Sequence, residues 1–103
     1  MRIKKYYDVE SLRKKYGPMT VGRFIRAFRM SDEFSQAEYA KKLNISKANL
    51  CDIEKGRKLV SPERAAKFAK ILQVPEKGLV VLALQDLLRA EHLSYHVELK
   101  KVS

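Results

Sequence analysis

A chain of 103 residues with 46% hydrophobic content is long enough to form one domain with a buried core. Its net charge of +10 indicates an anionic partner, namely nucleic acid, a membrane surface or an acidic protein. Its single cysteine, Cys51, excludes an intramolecular disulfide and a metal site built on a cysteine pair, and it suits the cytoplasm.

The sequence also argues against a membrane protein. The longest apolar run, Leu79 to Leu84, has six residues, whereas roughly 20 are needed to span a bilayer. The charged opening Met1–Lys5 is followed by Tyr6–Glu10, which lacks the apolar segment of a signal peptide. We therefore expect a soluble cytoplasmic protein without a membrane partner.

The positive charge divides the chain into three parts. Residues 1–18 carry six Lys or Arg against two acidic residues, residues 19–75 carry twelve against six, and residues 76–103 carry four against four. We interpret these parts as a basic N-terminal arm, a domain that carries the binding motif, and a C-terminal extension. Within the arm, Asp8 can cap a short helix that ends at Gly17. Phosphate contact, protein binding and a solvated terminus remain open as its role.

The first helix of the motif domain is predicted at Val21–Met30. Thr20 is a suitable N-cap for it. An apolar stripe at helical spacing predicts the inward face, which consists of Val21, Phe24, Ile25 and Phe28.

The segment from Ser35 to Gly56 reads as two short helices joined by a tight turn. Ser35 can cap the first helix, and Glu38 stands where a capping box needs its carboxylate. Asn44 suits the left-handed conformation that ends a helix, and Ser46 can cap the second helix. The predicted inward residues are Tyr39, Ala40, Leu43, Leu50 and Ile53.

A small residue at position 40 lets two helices cross steeply over a short turn. With it, the segment resembles the helix-turn-helix of the lambdoid phage repressor and Cro proteins, the xenobiotic-response-element-type regulators. The resemblance extends from about Val21 to Val74 and implies an all-α, lambda-repressor-like five-helix DNA-binding domain. The matching positions are the opening glutamine Gln36, the crossing residue Ala40, the turn residue Asn44, the core positions Leu50 and Ile53, and the apolar-Glu-x-Gly ending Ile53–Gly56.

The resemblance places base reading on the early outward residues of the second helix. These are Lys47, Ala48, Asn49 and, one turn on, Asp52, whose side chains suit guanine, a thymine methyl group, adenine and cytosine in that order. Alternatively, Asp52 only orients Lys47 or Lys55. The residues expected at phosphates are Gln36, Ser46, Lys55, Arg57 and Lys58.

Two further helices follow the motif. Ser61, Pro62 and Glu63 provide a cap, a first-position proline and a first-turn acid for a helix that should end near Leu72. Pro75 then opens a helix at Glu76–Ala90 that is apolar on more than one face. The additional apolar face predicts that this helix is covered by something besides its own domain, most simply by another copy of the chain.

The last segment alternates apolar and polar residues. Tyr95, Val97 and Leu99 alternate with His96, Glu98 and Lys100, which is the period of a half-buried strand. We therefore expect a short C-terminal β-strand at residues 94–100, paired across a dimer axis or with the segment at residues 2–6.

No residues support an enzyme, a metal or a cofactor. His92 and His96 do not share a helical face and lack further ligands at suitable spacing. Cys51 lies near the predicted DNA face, so a redox role is an alternative to simple packing, although only basic neighbours favour it.

The sequence thus predicts a homodimeric transcriptional repressor that binds double-stranded DNA at a palindromic operator. The alternative is an antitoxin of the same family, which neutralises a small ribonuclease toxin and represses its own operon.

Overall fold

The computed structural model describes residues 19–102, and these fold into five α-helices. The helices are α1 (Val21–Ser31), α2 (Gln36–Leu43), α3 (Lys47–Glu54), α4 (Pro62–Leu72) and α5 (Glu76–Ala90). The predicted five-helix, all-α fold is confirmed, with bounds that agree to within one residue. The predictions for the arm, including the helix capped by Asp8, lie outside the described residues. No helix in this part of the chain is long and apolar enough to cross a membrane.

Side-chain caps start four of the five helices as predicted. Thr20, Ser35, Ser46 and Ser61 each accept a hydrogen bond from the backbone N–H three residues later, at 3.0–3.2 Å. Glu38 completes the capping box by accepting from the Ser35 N–H at 2.9 Å. The hydrogen bonds with Ser35 lower the pKa of the Glu38 carboxyl group. These starts depend only on local sequence, which is why the sequence predicts them well.

All five helices end in the same backbone arrangement. One residue adopts the left-handed conformation, and it and the next residue donate to carbonyls of the last helical turn, which is the Schellman motif. The left-handed residues are Glu33, Asn44, Gly56, Gln73 and His92, with φ between 59° and 78°. Only one is glycine, so a search for glycine alone finds few of these ends.

The residue after each left-handed position is apolar in four cases and a cation in one. Phe34, Ile45 and Val74 pack against the core after α1, α2 and α4, and Leu93 follows α5. Arg57 takes this position after α3 and stays exposed. The end of α3 therefore turns a cation outward where the other helices place an apolar side chain.

One hydrophobic core joins all five helices. The inward residues predicted for α1, α2 and α3 are all buried, and so are four residues of α4, namely Ala65, Phe68, Ala69 and Leu72. Leu79, Leu82 and Ala83 of α5 belong to the same core. The division at residue 75 stays a prediction, but α5 packs as part of the domain rather than as a detached extension.

Asp86 ties α5 to the start of α1. Its Oδ2 accepts from the Val21 N–H at 3.0 Å, and its Oδ1 accepts from Arg89 Nη1 at 3.1 Å. Burial raises the pKa of this carboxyl, while the hydrogen bond from Val21 and the charge of Arg89 oppose that rise. The carboxylate satisfies an amide at the helix N-terminus that no residue of α1 can reach.

The predicted strand at residues 94–100 is wrong for this chain. Residues 93–102 form no strand, turn or bend. A strand needs a neighbour to complete its backbone hydrogen bonds, and the described residues offer only the side chain of Gln85, which binds Tyr95 and Val97. Alternation in sequence indicates a strand, but it does not show whether a neighbouring strand is present.

Candidate nucleic-acid interface

Helices α2 and α3 form a helix-turn-helix with a sharp corner at Asn44. Its φ of 61° is left-handed, as predicted, and the next residue, Ile45, donates to the carbonyl of Ala40 at 2.9 Å. Ala40 is only 2% exposed. A small buried residue at this position lets the two helices approach closely, so the turn presents α3 as a separate outward element.

A buried ion pair braces this motif against α1. Arg29 donates from Nε and Nη2 to the two carboxylate oxygens of Glu54, at 2.7 and 2.9 Å. Arg29 Nη1 also donates to the Phe34 carbonyl at 3.0 Å, and Gln36 Nε2 donates to Glu54 Oε1 at 3.0 Å. The network joins α1, the following loop, and the start of α2 to the last residue of α3.

The electrostatics of this network explain its stability. The Glu54 side chain is 2% exposed, and Arg29 is 13% exposed. The hydrogen bonds that Arg29 donates to the Glu54 carboxylate raise the pKa of Arg29 above its usual value, so the guanidinium stays charged. A two-point pair with every carboxylate oxygen satisfied is the arrangement that best compensates for burying a charge.

Sequence reasoning missed this ion pair. It assigned Glu54 only to the apolar-Glu-x-Gly ending and named no partner for its carboxylate. One signal was available, because an acidic residue at the C-terminus of a helix opposes the helix dipole and needs a cation nearby. Which of the many cations supplies it depends on the tertiary fold.

A second close approach also fixes α3 against α1. A Cβ atom added to Gly22 would overlap the carbonyl oxygen of Ile53, which is backbone and cannot move aside. Only glycine fits at this point of α1. The ion pair and this contact lie on α3 close to the residues predicted to meet DNA.

The predicted base-reading residues differ in exposure. Lys47 and Ala48 are exposed at the start of α3, whereas Asn49 and Asp52 are half-buried. The Oδ1 atom of Asn49 is buried without a hydrogen-bond partner among residues 19–102. Reading adenine requires both the oxygen and the nitrogen of an asparagine amide, so Asn49 must reorient before it can do so.

The loop after α3 holds a compact group of cations. Gly56 has a φ of 78°, which suits glycine, and the Asp52 carbonyl accepts from the backbone N–H groups of Arg57 at 2.8 Å and Lys58 at 3.3 Å. Lys55 is exposed beside them. The backbone is anchored to α3, and the side chains of Lys55 and Lys58 are exposed, where an anion can reach them.

Asp52 pairs with Arg57 rather than with Lys47 or Lys55. The distance from Arg57 Nη1 to Asp52 Oδ1 is 3.4 Å, and the two side chains are 64% and 38% exposed. An exposed pair of this kind contributes about 0.2–1 kcal/mol. The pair can therefore break at little cost.

The two predicted phosphate residues at helix starts already make protein contacts. Gln36 uses one amide hydrogen on Glu54, which leaves its backbone N–H at the open first turn of α2. Ser46 accepts from the Asn49 N–H through Oγ, and its hydroxyl hydrogen can still donate outward. Both contacts with phosphate stay predictions.

No group of three or more His, Cys, Asp or Glu residues between positions 19 and 102 could hold a metal ion. Cys51 is half-buried on α3.

Comparison with known proteins agrees with this geometry. A family model described as a helix-turn-helix domain matches residues 20–82, which include α1 to α4 and the first half of α5. No curated protein and no solved structure matches the chain significantly.

Proposed function

Because this chain belongs to the helix-turn-helix domain family, we propose that it is a sequence-specific DNA-binding transcriptional regulator that inserts α3 into the major groove. The observation that carries the proposal is the bracing of α3. Its outward side chains stand on a helix that a buried ion pair with Arg29 and the close contact at Gly22 hold in one orientation. A rigid, cation-flanked helix is what base readout requires.

The exposed residues divide between reading and positioning. Lys47 and Ala48 offer a guanine donor and a methyl contact, and Asn49 and Asp52 can add contacts after reorienting. Each good base contact would contribute about 1–3 kcal/mol of discrimination. The phosphate contacts would come from Gln36, Ser46, Lys55, Arg57 and Lys58.

We further propose that the protein is a homodimer that represses transcription from a palindromic operator, with half-sites about 34 Å apart. Its support is the outer side of α5 and the segment after it. Leu87 and Leu93 are 45% and 47% exposed, and Tyr95 is 68% exposed. Membership of the xenobiotic-response-element-type branch and a cytoplasmic location stay predictions of the sequence.

Fluorescence anisotropy with DNA selected from a random pool tests the proposal. The salt dependence of affinity reports the number of phosphates contacted, and the slope of log K against log salt should fall by about 0.9 for Arg57→Ala and for Lys58→Ala. Lys77→Ala, which removes an exposed charge from α5, is the matched control and should leave the slope unchanged. Equal binding to random and selected DNA would refute sequence-specific regulation.

The antitoxin alternative stays a hypothesis of the sequence, since no contact among residues 19–102 distinguishes it. Co-purification with the product of an adjacent toxin-sized reading frame would support it. Such a complex is compatible with repression of its own operon.

A further inference from the structure

A cleft opens between the start of α1, the loop after α3 and the end of α5. Its volume is about 230 Å³, which corresponds to about eight water molecules at about 30 Å³ each. Three of its lining residues, Val21, Ile53 and Val60, are buried and form its floor. Lys58 and Arg89 also line it and are exposed, so they lie toward its mouth. The cleft therefore combines an apolar floor with cations at its entrance.

The polar groups of this cleft offer more hydrogen-bond donors than acceptors. Within residues 19–102, Arg89 uses only Nη1, which donates to Asp86, and the Lys58 ammonium group makes no hydrogen bond. Thr20 Oγ1 already accepts one hydrogen bond, but its hydroxyl hydrogen can still donate. The one carboxylate, Asp86, already accepts from Val21 and Arg89 through separate oxygens. The cleft therefore suits a ligand that accepts hydrogen bonds.

The charges of the cleft favour a ligand with a single negative charge. Arg89 Nη1 lies 3.1 Å from Asp86 Oδ1, so these two charges balance each other. Lys58 then remains as one positive charge in excess. A carboxylate restores neutrality, whereas a phosphate monoester, with a charge of about −1.5 to −2, would exceed it. The apolar floor suits a short hydrocarbon chain attached to that carboxylate.

We propose that this cleft binds a small organic acid. Its carboxylate bridges Lys58 and Arg89, and its hydrocarbon chain lies over the floor formed by Ile53 and Val60. Lys58 is the one residue that this site shares with the proposed DNA contacts. The acid therefore competes with a DNA phosphate for the same ammonium group, which makes it an effector that releases DNA. This regulatory consequence rests on the proposed function, whereas the binding site itself does not.

Titration of the full chain with hexanoate, followed through the backbone amide signals in NMR spectra, tests the site. The signals of Gly22, Gly56 and Ala90 should shift together, because these residues line the cleft. Acetate lacks the longer chain and should bind at least roughly tenfold more weakly. Hexylammonium has the same chain with the opposite charge and should not bind. No shift with hexanoate, or equal binding of hexanoate and either control compound, would overturn the proposal.

Substitutions at the cleft provide a second measurement. Arg89→Gln should weaken hexanoate binding roughly tenfold, because it removes a charged hydrogen bond. Ala90→Leu keeps both cations but narrows the cleft, so it should weaken the binding of hexanoate more than that of acetate. The matched control, Lys77→Gln, removes an exposed cation of α5 that does not line the cleft and should change neither affinity. Equal effects of Arg89→Gln and Lys77→Gln would refute the assigned carboxylate contact.

Fluorescence anisotropy with selected DNA, at constant ionic strength, tests the competition. Saturating hexanoate should lower the affinity for DNA by the factor that Lys58→Ala produces, and it should not lower the affinity of Lys58→Ala further. Unchanged DNA affinity in a protein that binds hexanoate would refute the competition.

The outcomes separate this inference from the proposed function. A protein that binds selected DNA but not hexanoate would leave the regulator intact and refute the cleft as a binding site. A protein that binds hexanoate in the cleft but shows no preference for selected DNA would support the site and refute the proposed function.

Discussion

Two parts of the molecule share one hydrophobic core but differ in the other contacts that hold them. The part from α1 to α3 is fixed by directional contacts, namely the two-point pair of Arg29 and Glu54 and the close approach at Gly22. The part formed by α5 and residues 91–102 is held mainly by apolar packing, with Leu79, Leu82 and Ala83 in the core. Its polar links are Asp86 and Gln85.

This difference matters because directional contacts fix the orientation of a helix, whereas apolar packing only attaches the helix to the core. Apolar burial is roughly proportional to area and has no preferred direction, whereas a two-point charged hydrogen bond fixes both distance and angle. A helix that reads base edges needs the second kind of support. The outer side of α5, where the proposed dimer contact would lie, can use the first kind, and it retains exposed apolar side chains such as Leu87.

The largest expected effect comes from removing one partner of the ion pair. Glu54→Ala leaves the buried Arg29 guanidinium unpaired and should cost about 3–5 kcal/mol in the free energy of unfolding. Chemical denaturation followed by circular dichroism measures it. Glu63→Ala, an exposed acid of α4, is the control and should change stability by less than about 0.5 kcal/mol. Similar values for both would show that the pair does not brace α3.

A methyl group at the close approach should have the next largest effect. Gly22→Ala forces the backbone of α1 away from the Ile53 carbonyl and should cost about 1–3 kcal/mol. Gly56→Ala is the comparison, because its Cβ would meet open space and only the left-handed φ is strained. That variant should cost about 1 kcal/mol. A neutral Gly22→Ala would mean that α1 and α3 can separate freely.

Substitutions of Asp86 test how α5 is attached to α1, because this carboxyl group makes the stability of the protein depend on pH. Asp86→Ala leaves the Val21 N–H without its partner and should cost about 1–3 kcal/mol. Asp86→Asn keeps an acceptor and removes the charge. Because burial raises the pKa of Asp86 in the folded state, its ionised form reduces stability above that pKa, and the loss disappears as the pH falls to the ordinary aspartate range.

Asp86→Asn should therefore equal or exceed the parent in stability at pH 7, and the difference should shrink on acidification. Thermal denaturation between pH 4 and pH 7 measures this trend. A strongly destabilised Asp86→Asn at neutral pH would show that the charge itself, and not its acceptor, holds α5.

The smallest effect concerns the left-handed helix ends. Gln73→Gly, between α4 and α5, should stabilise the protein by about 0.5–1 kcal/mol, because glutamine is strained at a φ of 59°. Asn44→Gly should gain less, since asparagine tolerates this conformation better than glutamine. The melting temperatures of the two variants measure the two gains in stability. Equal gains would contradict the explanation that glutamine is the more strained residue.

Local features were predictable in both parts. The serine and threonine caps, the left-handed Asn44 and the inward stripes follow from residues within one helical turn of each other. The left-handed conformations of Glu33 and His92 were not predicted. A non-glycine residue enters the left-handed region there only because the surrounding backbone bonds and packing outweigh its local cost.

The sequence by itself determined the five helices, the helix-turn-helix and the positions of the candidate base-reading residues. Only the tertiary structure decided which arginine meets Glu54, which amide Asp86 satisfies and why residues 94–100 form no strand in one chain. The physical reason is the distance along the chain over which each kind of interaction acts. Caps and amphipathic stripes act over a few residues, whereas Arg29 and Glu54, or Val21 and Asp86, meet across 25 and 65 residues of chain. Such partners are chosen by packing rather than by spacing.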